Sequence, residues 1–385
     1  MATVTPTVAQ YFIPELWANR ALEVLRNQVP FARVVMKDTE VDTFSVGDIL
    51  NIPIPGTFTA NDKAAGSAVT LQTPSDSTVA VTLNKHKEVS FLVEDVVKAQ
   101  ANQSVMDNYI KSAVVSIAEA IEKSLMAELV NISTEVGTLG TAVTASGIRA
   151  ARKKLNTQKC PMDGRKLILS PDDETATLGD STLASFFAQA RVEAISQGIL
   201  GNLYGFETFM SQLVPVGAKV DLGGATGGTF TITFGGQTTS AVAYNASAAT
   251  LKTAIEALST IGSGNVEVVA VTDGFELYCK GTLAGNVASF TASFASLTGA
   301  TDPALTDTHH NPAFNREAFV LAMRALPNPD PNSGARAVTM KDPESGLVIR
   351  VLHSYNPSYL GQQVTLDVLY GTKTVRAAKA TLLKS

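Results

Sequence analysis

The chain's 385 residues exceed the ~150-residue domain prior more than twofold, so two or three packed units and a large core are expected. Apolar residues make up 45% and charged residues only 17%, against roughly 25% in average soluble chains, which excludes a disordered chain and predicts much uncharged surface. Lys and Arg number 30 against 35 Asp and Glu, a net charge of -5, and this balance argues against a protein built mainly to grip nucleic-acid phosphates.

Residues 1–46 read as an arm. Within FIPELWANRALEVLRNQVPF, Pro14 suits a first helical turn, Glu15 complements the dipole, and Trp17, Ala21, Val24 and Leu25 share a face before Pro30. Trp17, the single tryptophan, is either a core anchor or a subunit-interface anchor, and both roles bury it. Val46–Gly56 predicts a strand closed by Pro-Gly, and Thr78–Glu94 alternates with Val79, Val81, Leu83, Val89, Phe91 and Val93 on one face. The polar span between them makes a projecting hairpin too long to be covered by its own core.

From about Val93 to Ile132 the period becomes helical, with Ile110, Val114, Ile117, Ile121, Leu125 and Leu129 in one stripe and Glu119, Glu122, Lys123 and Glu128 elsewhere on the wheel. Residues 136–217 read as α/β: a helix near Ser146–Leu155, a strand Lys166–Ser170, a helix start at Pro171-Asp172-Asp173, then STLASFFAQARVEAISQG. The basic cluster Arg149, Arg152, Lys153, Lys154, Lys159, Arg165 and Lys166 is either a solvated face balanced by Asp172, Asp173 and Glu174 or a contact for DNA or an acidic partner.

Residues 218–302 change composition: 12 of the 28 glycines, no proline, and no arginine. The pattern there predicts strands Thr229–Phe234 and Thr238–Tyr244 about a Gly235-Gly236 turn, then a helix capped by Asn245 or Ser247. Strands Asn265–Val271 and Gly274–Lys280 follow, and the whole reads as a compact α+β module inserted between Pro215 and Pro303. Beyond it come a strand-like run Asn315–Leu326, a turn-rich PNPDPNSG loop, and strands Leu347–Tyr355 and Gln363–Val375. The last 18 residues carry Lys373, Arg376, Lys379 and Lys384 without an acid and read as a solvated end or a neutraliser of an acidic neighbour.

Catalytic and cofactor signatures do not emerge. Cys160 and Cys279 lack metal or disulfide spacing, which suits a reducing compartment, and His86, His309, His310 and His353 lack a ligand at helical metal spacing. His309-His310 in DTHHNP reads as a solvated loop pair. No GxSxG elbow, phosphate loop or GxGxxG fingerprint occurs, so no enzyme, metal or cofactor is expected. The start MATVTPTVAQYF lacks the regions of a signal peptide and no run approaches ~18 apolar residues, so a soluble chain without a membrane partner is expected. An arm, a projecting hairpin and a long helix in a charge-poor chain suit extensive self-association.

These residues resemble the major capsid (coat) proteins of tailed bacteriophages. FIPELWANRALEVL followed by VGDILNIPIPG is similar to the family's arm and first hairpin strand, and GILGNLYGFETFMSQLVP to its Gly-rich approach to a strand. FNREAFVLAMRALP and GLVIRVLHSYNPSYLGQQVTLDVLYGTKTV resemble its closing strands, with the Gly-x-Lys end kept as Gly371 and Lys373. GGTFTITFGGQTTSAVAYNASAATLKTAIEAL is similar to small modules of phage structural proteins.

The resemblance implies an α+β Hong Kong 97 type fold. Its parts are an N-terminal arm (1–46), an extended E-loop (47–91), a peripheral domain on a spine helix (92–135), a first axial-domain part (136–217), an inserted module (218–302), a second axial part (303–340) and closing strands (341–385). It further implies hexamers and pentamers that close an icosahedral head around packaged double-stranded DNA, in a virion assembled in the host bacterial cytoplasm. Trp17 and the loop tip at Asn61, Asp62 and Lys63 would then touch neighbouring subunits. Implied partners are other copies of the chain, scaffolding and portal proteins, a decoration protein, and DNA through weak inner-surface contact. Two other readings stay open: the shell of a non-viral nanocompartment, and a phage tail or adhesion protein.

Overall fold

The chain enters the described structure at Pro30, where fixed backbone geometry suits a helix start. The computed structural model describes residues 30–37, 49–56, 58–73, 75–95, 104–183, 200–330, 334–341 and 347–385. Trp17, the rest of the arm before Pro30, and most of STLASFFAQARVEAISQG lie outside the described residues. Helix α1 (Pro30–Val34) buries Phe31, Ala32 and Val34, and β1 (Met36–Lys37) follows it.

Strands β2 (Ile49–Ile54) and β3 (Ser77–Thr82) form the hairpin of the extended loop, in register from Ile49 opposite Thr82 to Ile54 opposite Ser77. The long strand expected over Thr78–Glu94 is divided at Leu83-Asn84, because β4 (Lys85–Glu94) leaves the hairpin and joins a different sheet. The spine helix α2 (Ser104–Met126) ends in a 3-10 turn, Ala127–Asn131, while residues 96–103 of the expected helical span lie outside the described residues. Its stripe of Ile110, Val114, Ile117, Ile121, Leu125 and Leu129 is buried as the spacing requires.

After β5 (Glu135–Gly137), helix α3 (Ala145–Thr157) turns Ala145, Ile148, Ala151 and Leu155 inward. Strand β6 (Arg165–Leu169) leads to α4 (Pro171–Gly179), whose cap is Ser170: its hydroxyl accepts from the Asp173 N–H at 3.2 Å. Strands β7 (Asn202–Leu203) and β8 (Phe206–Met210) are joined by Tyr204-Gly205, both at positive φ.

The Gly-rich span contributes β9 (Val216–Asp221), β10 (Gly227–Phe234), β11 (Gln237–Thr238), β12 (Val242–Ala243), α5 (Ala248–Glu256), β13 (Val266–Val271), β14 (Gly274–Cys279) and β15 (Thr291–Thr298). Gly235 and Gly236, at φ 56° and 80°, make the expected turn, and Ser247 rather than Asn245 caps α5. Strand β16 (Ala304–Asn315) is the longest in this half and contains His309 and His310, so the pair lies in a sheet and not in a solvated loop. The chain closes with β17 (Phe319–Arg324), β18 (Ala335–Lys341), β19 (Val348–Asn356), β20 (Gly361–Thr374) and β21 (Ala380–Lys384). The basic end is therefore a sheet strand with Ala380, Thr381, Leu382 and Leu383 buried, not a solvated tail.

A six-stranded sheet has the order β1-β17-β20-β19-β18, with β4 also on β20. A nine-stranded sheet runs β13-β14-β9-β16-β6-β8-β7, with β21 on β16 and β5 on β21. β10 pairs with β11, β12 and β15 in a separate sheet. The largest core lies between α2 and the six-stranded sheet, with Phe31, Ile117, Phe319 and Tyr370. A second, built from Val220, Phe230, Ile232, Leu251, Ile255 and Leu277, belongs to the Gly-rich span; a third joins α3 to β6 and β8. The composition break at 218 falls within β9, which pairs with β16 from Val216 opposite His309 to Asp221 opposite Ala304.

Candidate assembly surfaces

The extended loop is rooted by charge in an otherwise apolar sheet. Asp367 on β20, 3% exposed, accepts from the Arg350 Nε at 2.9 Å and from a second guanidinium nitrogen, while His86 Nε2 lies 3.1 Å from its Oδ2. One residue along, the Lys85 ammonium donates to Thr372 Oγ1 at 2.8 Å. Burial pushes the Lys85 pKa down, with Glu128 partly opposing that effect. The Thr374 N–H donates to Glu128 Oε2 at 3.0 Å, tying the end of the spine helix to the same strand. Gly371 completes the root: a Cβ there would stand 2.2 Å from the Thr82 carbonyl oxygen, so only glycine lets β20 pass the hairpin.

Beyond this root the hairpin has a core of only Leu50, Ile52 and Val81, closed on Val320 and Ala322 of β17. Its tip keeps local order through the Gly56 N–H to Asp76 Oδ1 bond at 2.8 Å and the Thr59 N–H to Gln72 Oε1 bond at 2.9 Å. Phe58, Val69 and Leu71 are 69%, 64% and 90% exposed. Asn61, Asp62 and Lys63 are exposed beside them, without a hydrogen bond or ion pair among the described residues. Covering a side chain such as Leu71 would contribute ~1.5–3 kcal/mol, and nothing in the described chain covers it.

The base of the arm is held differently. Glu122 projects from α2 into the largest core, fully buried, where it accepts from the Phe31 N–H at 3.0 Å, the Ala32 N–H at 3.4 Å and the Ser211 hydroxyl at 3.3 Å. Burial raises its carboxyl pKa to about 7, and the three donors pull in the opposite direction. The Phe31 ring, between Phe314 at 5.1 Å and Phe319 at 5.4 Å, locks the same turn. Sequence periodicity put Glu122 on the polar side of the wheel; the structure puts it inside, because α1 supplies donors from 90 residues away.

Two further polar networks join chain segments. Asp173, 1% exposed, accepts from Val143 N, the Ser170 and Ser385 hydroxyls and the Asn311 amide, linking α4, β16 and β21. Glu276 on β14, 2% exposed, meets His310 at 3.0 Å and Lys384 at 2.9 Å, and Lys384 also reaches Glu135 at 2.6 Å. Burial works to raise the Glu276 carboxyl, but hydrogen bonds from His310 and Lys384 outweigh it and hold it below the usual range. Lys384 is raised although burial opposes it, because Glu135 and Glu276 stabilise its charge. Among the described residues no group of three or more His, Cys, Asp or Glu side chains is placed to hold a metal, and no helix is long and apolar enough to cross a membrane.

Of the residues expected to touch neighbours, the loop-tip three come together on one exposed edge and Trp17 lies outside the described residues. The buried carboxylates that order the loop root and arm base escaped sequence reasoning.

Residues 75–231 match the family model of the phage capsid protein. No curated protein matches the chain. Among solved structures, the capsid of the Cyanophage P-SCSP1u is 13% identical, aligning 92% of this chain with 87% of that one at a TM-score of 0.52. A Mycobacterium phage Che8 structure is 16% identical, over 92% of this chain and 90% of that one, with a TM-score of 0.49. From spine helix to closing strands the described chain thus has the α+β fold of a phage capsid protein of the Hong Kong 97 type, and within it residues 75–231 are similar to the phage capsid protein family.

Proposed function

We propose that the chain assembles into hexamers and pentamers that close an icosahedral head around packaged double-stranded DNA. The observation that carries this reading is the extended loop: a rigid root, a hairpin with almost no core, and apolar side chains at its tip that its own subunit leaves bare. A projecting element of this kind is covered by a neighbour, and repeated around a ring many modest contacts add. Asn61, Asp62 and Lys63 are then inter-subunit contacts, and Trp17 is the arm's anchor on a neighbour or in the core. A net charge of -5 suits a container whose DNA contact is weak. Scaffolding and portal proteins, a decoration protein and assembly in the host cytoplasm belong to the same reading.

Residues 218–302 form an inserted module on the outer face, a view supported by their separate core and by the β9–β16 pair that serves as its stem. The test is negative-stain electron microscopy with sedimentation of the purified chain beside a variant lacking 57–77. Closed shells or capsomer rings from the parent and a folded, unassembled variant are expected. Shells of normal yield from the deletion variant would overturn the loop assignment, and fibres or tubes from the parent would overturn the head assignment.

A further inference from the structure

The basic helix found in the sequence has no acidic partner among the described residues. Helix α3 and the turn after it carry Arg149, Arg152, Lys153, Lys154 and Lys159 and no acid. Elsewhere Lys166, Lys219, Lys252, Lys280, Lys379, Lys384, Arg350 and Arg376 each face a carboxylate. Arg149, Lys153, Lys154 and Lys159 face none among the described residues, and Arg149 and Lys153, one turn apart, are exposed on the side opposite Ile148 and Leu155. The patch is also preformed. The Arg149 guanidinium lies 5.8 Å from the centre of the Tyr204 ring, and Arg152 donates to the Tyr204 carbonyl at 2.8 Å, fixing the tight β7–β8 turn beneath it. An Arg and Tyr platform held in place before binding is the composition of an interface core.

The same domain presents the complementary patch. In the first turn of α4, Asp172 has a side chain 86% exposed and, among the described residues, only a distant His309 contact at 3.9 Å, and Glu174 is half-buried with no cationic partner among the described residues. The third acid of that turn, Asp173, is turned inward and fully engaged. The two patches are separate and of opposite sign. No ion pair joins them among the described residues, and the contacts between the two helices lie at the start of α3, where the Ala145 N–H donates to Asp180.

We infer that the α3 stripe of Arg149 and Lys153, with Tyr204 beneath it, docks on Asp172 and Glu174 of a second copy of this chain in a head-to-tail contact. Different patches on successive copies generate a ring when the rotation closes, whereas a two-fold contact would set like charges together. The inference rests on the assembly reading above.

The test compares four full-length chains by sedimentation and electron microscopy, with circular dichroism as the check on folding: the parent, R149E/K153E, D172K/E174K, and the combination of all four changes. Each two-site reversal is expected to cut the assembled fraction about tenfold or more, the combination to restore it, and raised salt to weaken the parent. R149Q/K153Q, which adds no repulsion, is expected to lose less. Reversals that assemble like the parent, or a combination no better than either half, overturn the contact. Normal shells from R149E/K153E that retain less nucleic acid would assign the stripe to a polyanion and overturn it equally. A parent that forms no large species under any condition would instead remove the assembly reading on which the contact stands.

Discussion

The carboxylate of Glu122 accepts the backbone N–H of Phe31 at 3.0 Å inside the largest core, so the point where the arm meets the body is fixed by an ionisable group with no cation beside it among the described residues. Its folded-state pKa of about 7 lies above the ordinary 4.5. The folded chain therefore binds the proton more tightly, and this contribution to stability is full below pH 4.5 and is lost as pH rises through about 7. At about 1.4 kcal/mol per unit, a few kcal/mol are involved. Unfolding midpoints of the parent should fall relative to Glu122→Gln between pH 5 and 8, and a parallel pair of curves would refute the assignment. Glu122→Ala, which leaves two buried N–H groups without their acceptor, should cost about 2–4 kcal/mol at neutral pH.

Glu276 has the opposite sign. Its folded pKa is held low, so its contribution is present above the unfolded value of 4.5 and disappears as pH falls through the folded one. Glu276→Gln should destabilise the chain by about 3 kcal/mol at pH 7 by leaving the Lys384 charge poorly matched. The penalty should shrink toward pH 3, as denaturant titrations at the two pH values would register.

Gly371→Ala forces a methyl group against the Thr82 carbonyl, whereas Gly179→Ala meets no heavy atom within 4 Å. A loss of about 1–3 kcal/mol is expected for the first and little or no loss for the second, measured by thermal unfolding. Equal midpoints would mean that the hairpin root gives way without cost.

Phe58→Ser with Leu71→Ser removes exposed apolar surface from the loop tip. Monomer stability should stay within about 0.5 kcal/mol, while shell yield by sedimentation falls several-fold. Unchanged yield would leave the tip without a neighbour.

Excising 222–303 and joining Asp221 to Ala304 through Asn-Gly should leave a soluble, folded chain, because those two residues already stand opposite each other across the β9–β16 ladder. Circular dichroism and sedimentation decide the matter. Loss of soluble protein would make the span integral to the fold.

The helical stripe from Ile110 to Leu129, the alternation around Val81 and Val93 and the Gly235-Gly236 turn were legible because each is local and repeats at a fixed period. β16 was not. Its DTHHNP, with two adjacent histidines, reads as a solvated loop, yet β9, β6 and β21 supply hydrogen-bond partners from three distant places in the chain. Glu122, Asp173 and Asp367 were illegible for a related reason: what decides whether a carboxylate is inside is the arrival of remote donors, and a single sequence does not record it. The basic cluster on α3 was visible as composition; only the fold separated Lys166, which has Glu207, from Arg149 and Lys153, which have no acid among the described residues.

Strand β16 passes from the ladder with β9 directly into ladders with β21 and β6. A mechanical load on the far end of the Gly-rich span would travel along this strand into the body. Its rungs lie across the direction of pull, so β16 cannot slide without many bonds yielding together, and the span acts as a stiff mast rather than a tethered flag.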